Sequence, residues 1–332
     1  MLTTPIPRLS VVAPCYNEQE TLEVLYGRVT SACRAVVADD YEIVLIDDGS
    51  SDNTRAFIRD LSERDPHVVG VFLSRNHGHQ LALSAGLHIC RGQRILIIDA
   101  DLQDPPELLG EMMNIMDREK ADVVYGQRRE RLGETPFKKL SARLFYRLLN
   151  RLMDIKIPVD TGDFRLMSRR TLDELNRMPE QHRFIRGMVS WIGFRQVPMM
   201  YERQERFGGQ TKYPFARMLR FAIDAISGFS IVPLRIATYL GFICAFLGMV
   251  FMGYTVYSYF SGIAVQGWTT MMSVVLILGS GQLMVLGVIG EYLGRLYVQS
   301  KNRPLFIIEE VVRGDARSDG DMQRDVVSIA GR

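Results

Sequence analysis

Through the first half of the chain, short aliphatic runs alternate with longer amphipathic stretches. The runs at residues 9–13, 41–46, 68–73, 94–98 and 122–125 have strand length and aliphatic content, and helix-like segments follow most of them. Such alternation predicts an α/β domain with a mainly parallel sheet. In open sheets of this kind ligands bind beyond the carboxyl ends of the strands. Polar clusters stand there: Pro14-Cys15-Tyr16-Asn17-Glu18 after the first run, Asp47-Asp48-Gly49-Ser50-Ser51-Asp52 after the second, and Asp99-Ala100-Asp101-Leu102-Gln103-Asp104 after the fourth.

Further along the pattern changes. From Ile236 to Gly290 there is no Asp, Glu, Lys or Arg. A helix needs about 20 apolar residues to cross a bilayer, so this run predicts a transmembrane hairpin with spans near residues 235–260 and 270–292 inside a membrane segment 231–298. The turn between them carries no Lys or Arg, whereas Arg217, Arg220 and Arg235 precede the hairpin and Arg295, Lys301 and Arg303 follow it. By the positive-inside rule both termini are cytoplasmic. The opening residues 1–7 have neither the basic start nor the apolar core of a secretory signal, so the domain 1–213 is expected in the cytosol.

Two segments read as amphipathic helices at the membrane surface. In 137–153, Leu140, Leu144, Leu148 and Leu152 run beside Lys139, Arg143, Arg147 and Arg151; in 214–230, Phe215, Met218, Leu219, Ala222 and Ile226 stand among Arg217 and Arg220. A core-packed helix with a solvated basic face is the alternative for the first. The last part, 299–332, is expected to hold a short strand at 305–312, open to pairing with another subunit, and a disordered tail. Glycines 279, 281, 287, 290 and 294 give the second span small surfaces for close packing, in the hairpin or in a homo-oligomer.

Composition adds little except by exclusion. The net charge of +2 gives no case for nucleic acid as a partner. Cys15, Cys33, Cys90 and Cys244 lack metal-ligand spacing and sit in a reducing compartment or in the membrane. No G-x-G-x-x-G follows the first strand, and no P-loop is present, which disfavours hydride transfer and P-loop phosphate binding.

The chemistry lies in the acidic clusters. Two carboxylates one residue apart at a strand end, Asp99 and Asp101, can present oxygens to one hard divalent cation, which in turn neutralises a diphosphate; alone, such a tripeptide is also a common solvated turn. Asp47 and Asp48 can accept from a base N–H or bind a ribose hydroxyl, or cap the turn and helix that follow.

Taken with Ser74-Arg75-Asn76-His77-Gly78, Thr161-Gly162-Asp163-Phe164-Arg165-Leu166, Arg206-Phe207-Gly208-Gly209-Gln210-Thr211-Lys212 and Gly290-Glu291-Tyr292-Leu293-Gly294-Arg295, these clusters resemble the inverting GT-A glycosyltransferases. The nearer resemblance is to the polyprenyl-phosphate glycosyltransferases, the group that holds dolichyl-phosphate mannose synthase and the bacterial undecaprenyl-phosphate glucosyltransferases. Cys15 and His77 depart mildly from that group's pattern, where Thr or Val and Phe or Tyr are usual. The resemblance implies a GT-A, Rossmann-like catalytic domain and assigns roles. Pro14, Tyr16, Glu18, Asp47 and Asp48, with Asp99, Ala100 and Asp101, would hold the nucleotide-sugar. Asp99, Asp101 and Gln103 would hold Mg²⁺ or Mn²⁺, and Arg128, Lys138, Lys139, Arg206 and Lys212 would meet the acceptor phosphate. Asp163, Asp101 and Arg206 would serve the reaction directly, Asp163 as an orienting group or as a base.

The implied reaction moves a sugar, glucose from UDP-glucose first, onto undecaprenyl or another polyprenyl phosphate with inversion, for use in the cell envelope. Mannose, N-acetylglucosamine, galactose and amino-arabinose stay open. A processive polysaccharide synthase is the nearest rival, but neither Trp191 nor Trp268 follows an Arg, so the Gln-x-x-Arg-Trp motif is missing. A non-enzymatic lipid-binding membrane protein is the rival of a different class.

Overall fold

The computed structural model describes residues 6–128, 161–202, 232–261 and 267–314. The chain divides into two compact units, one carrying a sheet and its helices, the other two long helices. The expected surface helices 137–153 and 214–230, and the tail beyond residue 314, lie outside the described residues.

In the first unit the strands are β1 (Leu9–Cys15), β2 (Tyr41–Asp47), β3 (Val68–Leu73), β4 (Arg94–Ile97), β5 (Val123–Arg128), β6 (Thr161–Ser168), β7 (Gln196–Tyr201) and β8 (Ile308–Arg313). The helices between them are α1 (Leu22–Val37), α2 (Thr54–Arg64), α3 (His79–Ile89), α4 (Leu109–Glu119), α5 (Arg169–Arg177) and α6 (Ile185–Ile192). They form one sheet in the order β7-β5-β6-β4-β1-β2-β3-β8. β1 to β4 are mutually parallel where they pair, as expected, but β6 runs antiparallel to β4 and β5, and β8 antiparallel to β3. The sheet is therefore mixed. β1, β2 and β3 are buried along their whole length, which is why they read as continuous aliphatic runs.

Close packing of α3 on the sheet depends on one glycine. A Cβ at Gly86 would stand 2.4 Å from Ile46 Cδ1 and 2.6 Å from Val12 Cγ1. The bare backbone lets α3 lie against β1 and β2, with its first residues, His79 and Gln80, at the carboxyl ends of the central strands.

The strand expected at 305–312 is β8, and its partner is β3 of the same chain rather than another subunit. Arg55 pairs with Glu309 at 2.9 Å and Arg59 with Glu310 at 2.6 Å, so charge complementarity supports the backbone pairing at this sheet edge.

The second unit holds α7 (Val232–Phe260) and α8 (Trp268–Ser300), which pack on each other. Both contain windows long and apolar enough to cross a membrane, Val232–Tyr254 and Ile277–Ser300. The second helix continues past the expected end at 292 to Ser300 and carries Glu291 and Arg295 as an i,i+4 ion pair at 3.0 Å. Large apolar side chains such as Phe242 (70% exposed) and Leu283 (71%) cover both helices. In water so much exposed apolar surface is unfavourable; in lipid it is the ordinary exterior. Among the described residues, nothing lies within 4 Å of a Cβ position on Gly279, Gly281, Gly287, Gly290 or Gly294.

Candidate active site

Strand register assembles the site. β1 and β2 end level, Cys15 opposite Asp47, and β4 ends beside them with Ile97 opposite Val12. The chain leaving these strands therefore delivers Tyr16, Asp48 and Asp99 to one sheet edge. β6 comes from the other direction with Arg165 opposite Ile97, so Asp163, two residues earlier, arrives level with Asp99, two residues later. Asp99 and Asp163, 64 positions apart in sequence, become neighbours through antiparallel pairing.

Asp163 is 2% exposed, and its charge is compensated from all sides. Arg186 Nε donates to Oδ1 at 2.8 Å, Gln80 Nε2 donates to Oδ2 at 2.9 Å, and His79 Nε2 lies 3.1 Å from Oδ2. Arg165, itself buried, stands 3.9 Å from Oδ1. Burial works against the charge, but Arg186, His79 and Arg165 outweigh it and hold the carboxyl well below the ordinary carboxylate range. Gln80 also accepts from the backbone N–H of Ile185 at 3.0 Å, so one amide ties α3, β6 and the start of α6 together.

Asp99 is the opposite case. Its Oδ1 is buried without a hydrogen-bond partner among the described residues, although His79 Nε2 is 3.6 Å away. Burial, and then the nearby charge of Asp163, push this carboxyl up to about 6. His79 Nε2 thus lies between two carboxylates; burial opposes its charge, but the hydrogen bond to Asp163 and the field of Asp99 raise its pKa above the usual imidazole value. Ligand-type atoms of His79, Asp99 and Asp163 all lie within 4.8 Å of one another. Both oxygens of Asp163 are already engaged, so Asp99 is the member with an oxygen to offer, and an orphaned, charge-raised carboxylate fits a divalent cation.

Asp101 and Gln103 follow on the same loop, outside that cluster. The loop turns through Leu102, a non-glycine residue at φ 60, and Gln103 N–H donates to Asp101 Oδ1 at 3.2 Å. A left-handed Leu costs about 1–2 kcal/mol, and such strain is retained where the surroundings over-determine it; here Ala100 and Leu102 are both buried beneath the loop.

Among the β1 and β2 residues, Pro14 is buried in β1 and Tyr16 is exposed. Glu18 Oε2 accepts from Thr21 Oγ1 at 2.9 Å. Asp47 Oδ1 accepts from Ser50 N–H at 3.1 Å, while its Oδ2 is buried without a hydrogen-bond partner among the described residues. Asp48 is committed within the fold, since its two oxygens accept from the backbone N–H groups of His77 at 2.7 Å and Gly78 at 2.9 Å and so fix the loop that leads into α3. Cys15 lies between these groups, but burial pushes its thiol well above the range in which it could ionise, and Cys33 and Cys90 are pushed up to about 12.

Arg128, at the end of β5, stands close to β6: one of its terminal nitrogens lies 3.2 Å from the point where a Cβ on Gly162 would be. Its Nε is buried with no hydrogen-bond partner among the described residues. Arg206, Lys138, Lys139 and Lys212 lie outside the described residues. Sequence reasoning missed His79, Gln80 and Arg186. The first two directly follow Ser74-Arg75-Asn76-His77-Gly78 and were within reach; Arg186 has no local signal.

Residues 10–175 match the family described as Glycosyl transferase family 2, and residues 232–296 match the GtrB C-terminal hairpin. The chain is 43% identical over 302 residues to the uncharacterized glycosyltransferase YkcC of Bacillus subtilis (strain 168), covering 91% of this chain and 93% of the relative. It is 36% identical over 305 residues to the prophage bactoprenol glucosyl transferase homolog of Escherichia coli (strain K12), covering 92% and 99%. To the bactoprenol glucosyl transferase of Shigella phage SfII it is 36% identical over 309 residues, covering 93% and 99%.

Proposed function

The chain belongs to glycosyl transferase family 2 and carries a segment that matches the GtrB C-terminal hairpin, and from this premise we propose that it transfers glucose from UDP-glucose to a polyprenyl phosphate, inverting the anomeric carbon, at the cytoplasmic face of a membrane. Relatives that align over more than nine-tenths of the chain are named bactoprenol glucosyl transferases, which supports a polyprenol-linked acceptor and glucose as the sugar. The observation that carries the chemistry is Asp99: a partly buried carboxylate at the end of the central strands whose buried Oδ1 has no hydrogen-bond partner among the described residues.

Asp99 and Asp101, with Gln103, would hold Mg²⁺ or Mn²⁺. Such a cation, when bound, neutralises the diphosphate and stabilises the charge that develops on the departing nucleotide. Pro14, Tyr16, Glu18, Asp47 and Ala100 border the place for the nucleoside and diphosphate, and Asp48 shapes it through the His77–Gly78 backbone. On the acceptor side Arg128 offers its buried Nε, with Arg206, Lys212, Lys138 and Lys139 proposed to join it. The acceptor phosphate is already an anion, so its oxygen attacks without a strong base. Asp163 suits orientation: both its oxygens are occupied, and it is held ionised far below the range of a useful proton acceptor at neutral pH.

The hairpin α7–α8 keeps the enzyme at the bilayer, where the acceptor's tail resides, with both termini cytoplasmic by the charge pattern that flanks it. The glycines of α8 offer small surfaces on which a second copy of the chain would pack in a homo-oligomer. Offering membranes that contain the protein a panel of labelled UDP- and GDP-sugars with undecaprenyl phosphate and Mg²⁺ tests the donor. UDP-glucose is expected to give the labelled lipid most efficiently. A stronger product from GDP-mannose or UDP-N-acetylglucosamine would replace glucose while leaving the reaction class in place.

A further inference from the structure

Helix α6 begins without a side-chain cap of its own. The first backbone N–H groups of any helix have no partner within it, and the N-cap residue here, Phe184, has no side-chain oxygen to offer. The acceptor comes instead from α3, where Gln80 Oε1 takes the Ile185 N–H at 3.0 Å. The approach to this point is also held, because the buried Arg183 donates to the carbonyls of Leu175 and Met178, both at 2.9 Å. Arg186, the residue after Ile185, therefore leaves a fixed backbone. It reaches Asp163 Oδ1 at 2.8 Å and the Thr161 carbonyl at 2.9 Å.

The other end of the same amide acts on Asp163, with Gln80 Nε2 donating to Oδ2 at 2.9 Å. The two partners settle which way the amide points: a backbone N–H only donates and an ionised carboxylate only accepts, so oxygen faces Ile185 and nitrogen faces Asp163. One side chain thus sets both the carboxylate and the start of the helix whose arginine holds the carboxylate's other oxygen. His79 shares Oδ2 but also stands 3.6 Å from Asp99, so it is divided between two carboxylates, whereas Gln80 faces one.

We propose that Gln80 is a positioning residue for the transfer: by holding Asp163 Oδ2 from a fixed point on α6, it keeps that carboxylate turned to the acceptor. The inference rests on the reading of Asp163 as an orienting group. Gln80 is neutral, so it fixes the direction of the carboxylate, while Arg186 and Arg165 compensate its charge. Freed from the amide, the carboxylate keeps its charge and loses its aim, and a small misplacement of this kind costs rate rather than binding.

The test is steady-state kinetics of the full-length protein at pH 8 with both substrates varied. Gln80→Met, similar in length but without the amide, is expected to lower kcat about tenfold, with both KM values held within about twofold. Gln80→Glu keeps an oxygen for the Ile185 N–H but turns a second one on Asp163, and is expected to lose at least as much. A residue that merely caps α6 would give the reverse order, with Gln80→Glu near the wild type; that result, or a rise in both KM values without a fall in kcat, overturns the proposal. In the Asp163→Asn background, Gln80→Met is expected to change kcat by less than about twofold, because it acts through that carboxylate; a further fall of about tenfold would place its role elsewhere and overturn the proposal too. Asp163→Asn alone separates the two levels. If it leaves kcat unchanged, the reading of Asp163 itself fails. If it lowers kcat while Gln80→Met does not, only the role of Gln80 falls.

Discussion

Asp99 and Asp163 lie side by side, Asp163 buried and Asp99 partly so, yet their carboxyls are driven in opposite directions, up to about 6 for one and well below the ordinary range for the other. The difference is in their partners: Asp163 has Arg186, Gln80, His79 and Arg165, whereas the Asp99 Oδ1 has no hydrogen bond among the described residues. Two titratable groups pushed apart in this way take different roles. On the proposed role of Asp99 as a cation ligand, protons and the cation compete for it, and the linkage has a definite sign. A carboxyl raised on folding favours the folded chain below its unfolded pKa, and that contribution is lost as pH rises towards about 6; a bound cation stabilises the ionised form above it. The rise in melting temperature caused by Mn²⁺ is therefore expected to be clear at pH 7.5 and nearly absent at pH 5. Thermal unfolding of the detergent-solubilised protein, with and without the cation, measures this, and an equal rise at both values would contradict it.

Among the elements, α3 carries most of the consequence. Its first turn supplies His79 and Gln80 to the carboxylates, and Gly86 allows the helix to lie close enough for them to reach. Gly86→Ala would force a methyl group into Ile46 and Val12 and is expected to cost about 1–3 kcal/mol of stability, the usual range for overpacking. Chemical denaturation reads that loss, and an unchanged midpoint would show that α3 can move without strain. The strands flanking α3 were legible in sequence because β1, β2 and β3 are buried on both faces and read as unbroken aliphatic runs. β6 was not legible as a strand, because Asp163 and Arg165 interrupt its apolar pattern; their burial makes sense only once Arg186 and His79 are brought in from elsewhere. β7 has Pro198 in its middle, which suits the edge position it occupies and hides it as a strand. For β8 the sequence revealed the strand but not its partner, because complementarity between Arg55, Arg59 and Glu309, Glu310 exists only in three dimensions.

At the scale of the whole molecule, the chain joins a glycosyl transferase family 2 domain to a hairpin whose apolar exterior suits lipid. The uncharged run made that hairpin visible without any structure, and the acidic clusters at the strand ends marked the site's edge. The cage around Asp163 depends on β6 and α6 and was beyond sequence reasoning. The central claim is transfer of sugar to lipid at the Asp99 carboxylate. Its most direct test supplies UDP-glucose labelled in the sugar, undecaprenyl phosphate and Mg²⁺ to wild-type and Asp99→Asn protein, and follows label into the organic phase. The expected result is rapid transfer by the wild type, abolished by chelation of the cation and reduced at least about a hundredfold by Asp99→Asn, as for loss of a principal electrostatic contribution. Label that stays in the aqueous phase with folded wild-type protein, or transfer that survives Asp99→Asn undiminished, would contradict it.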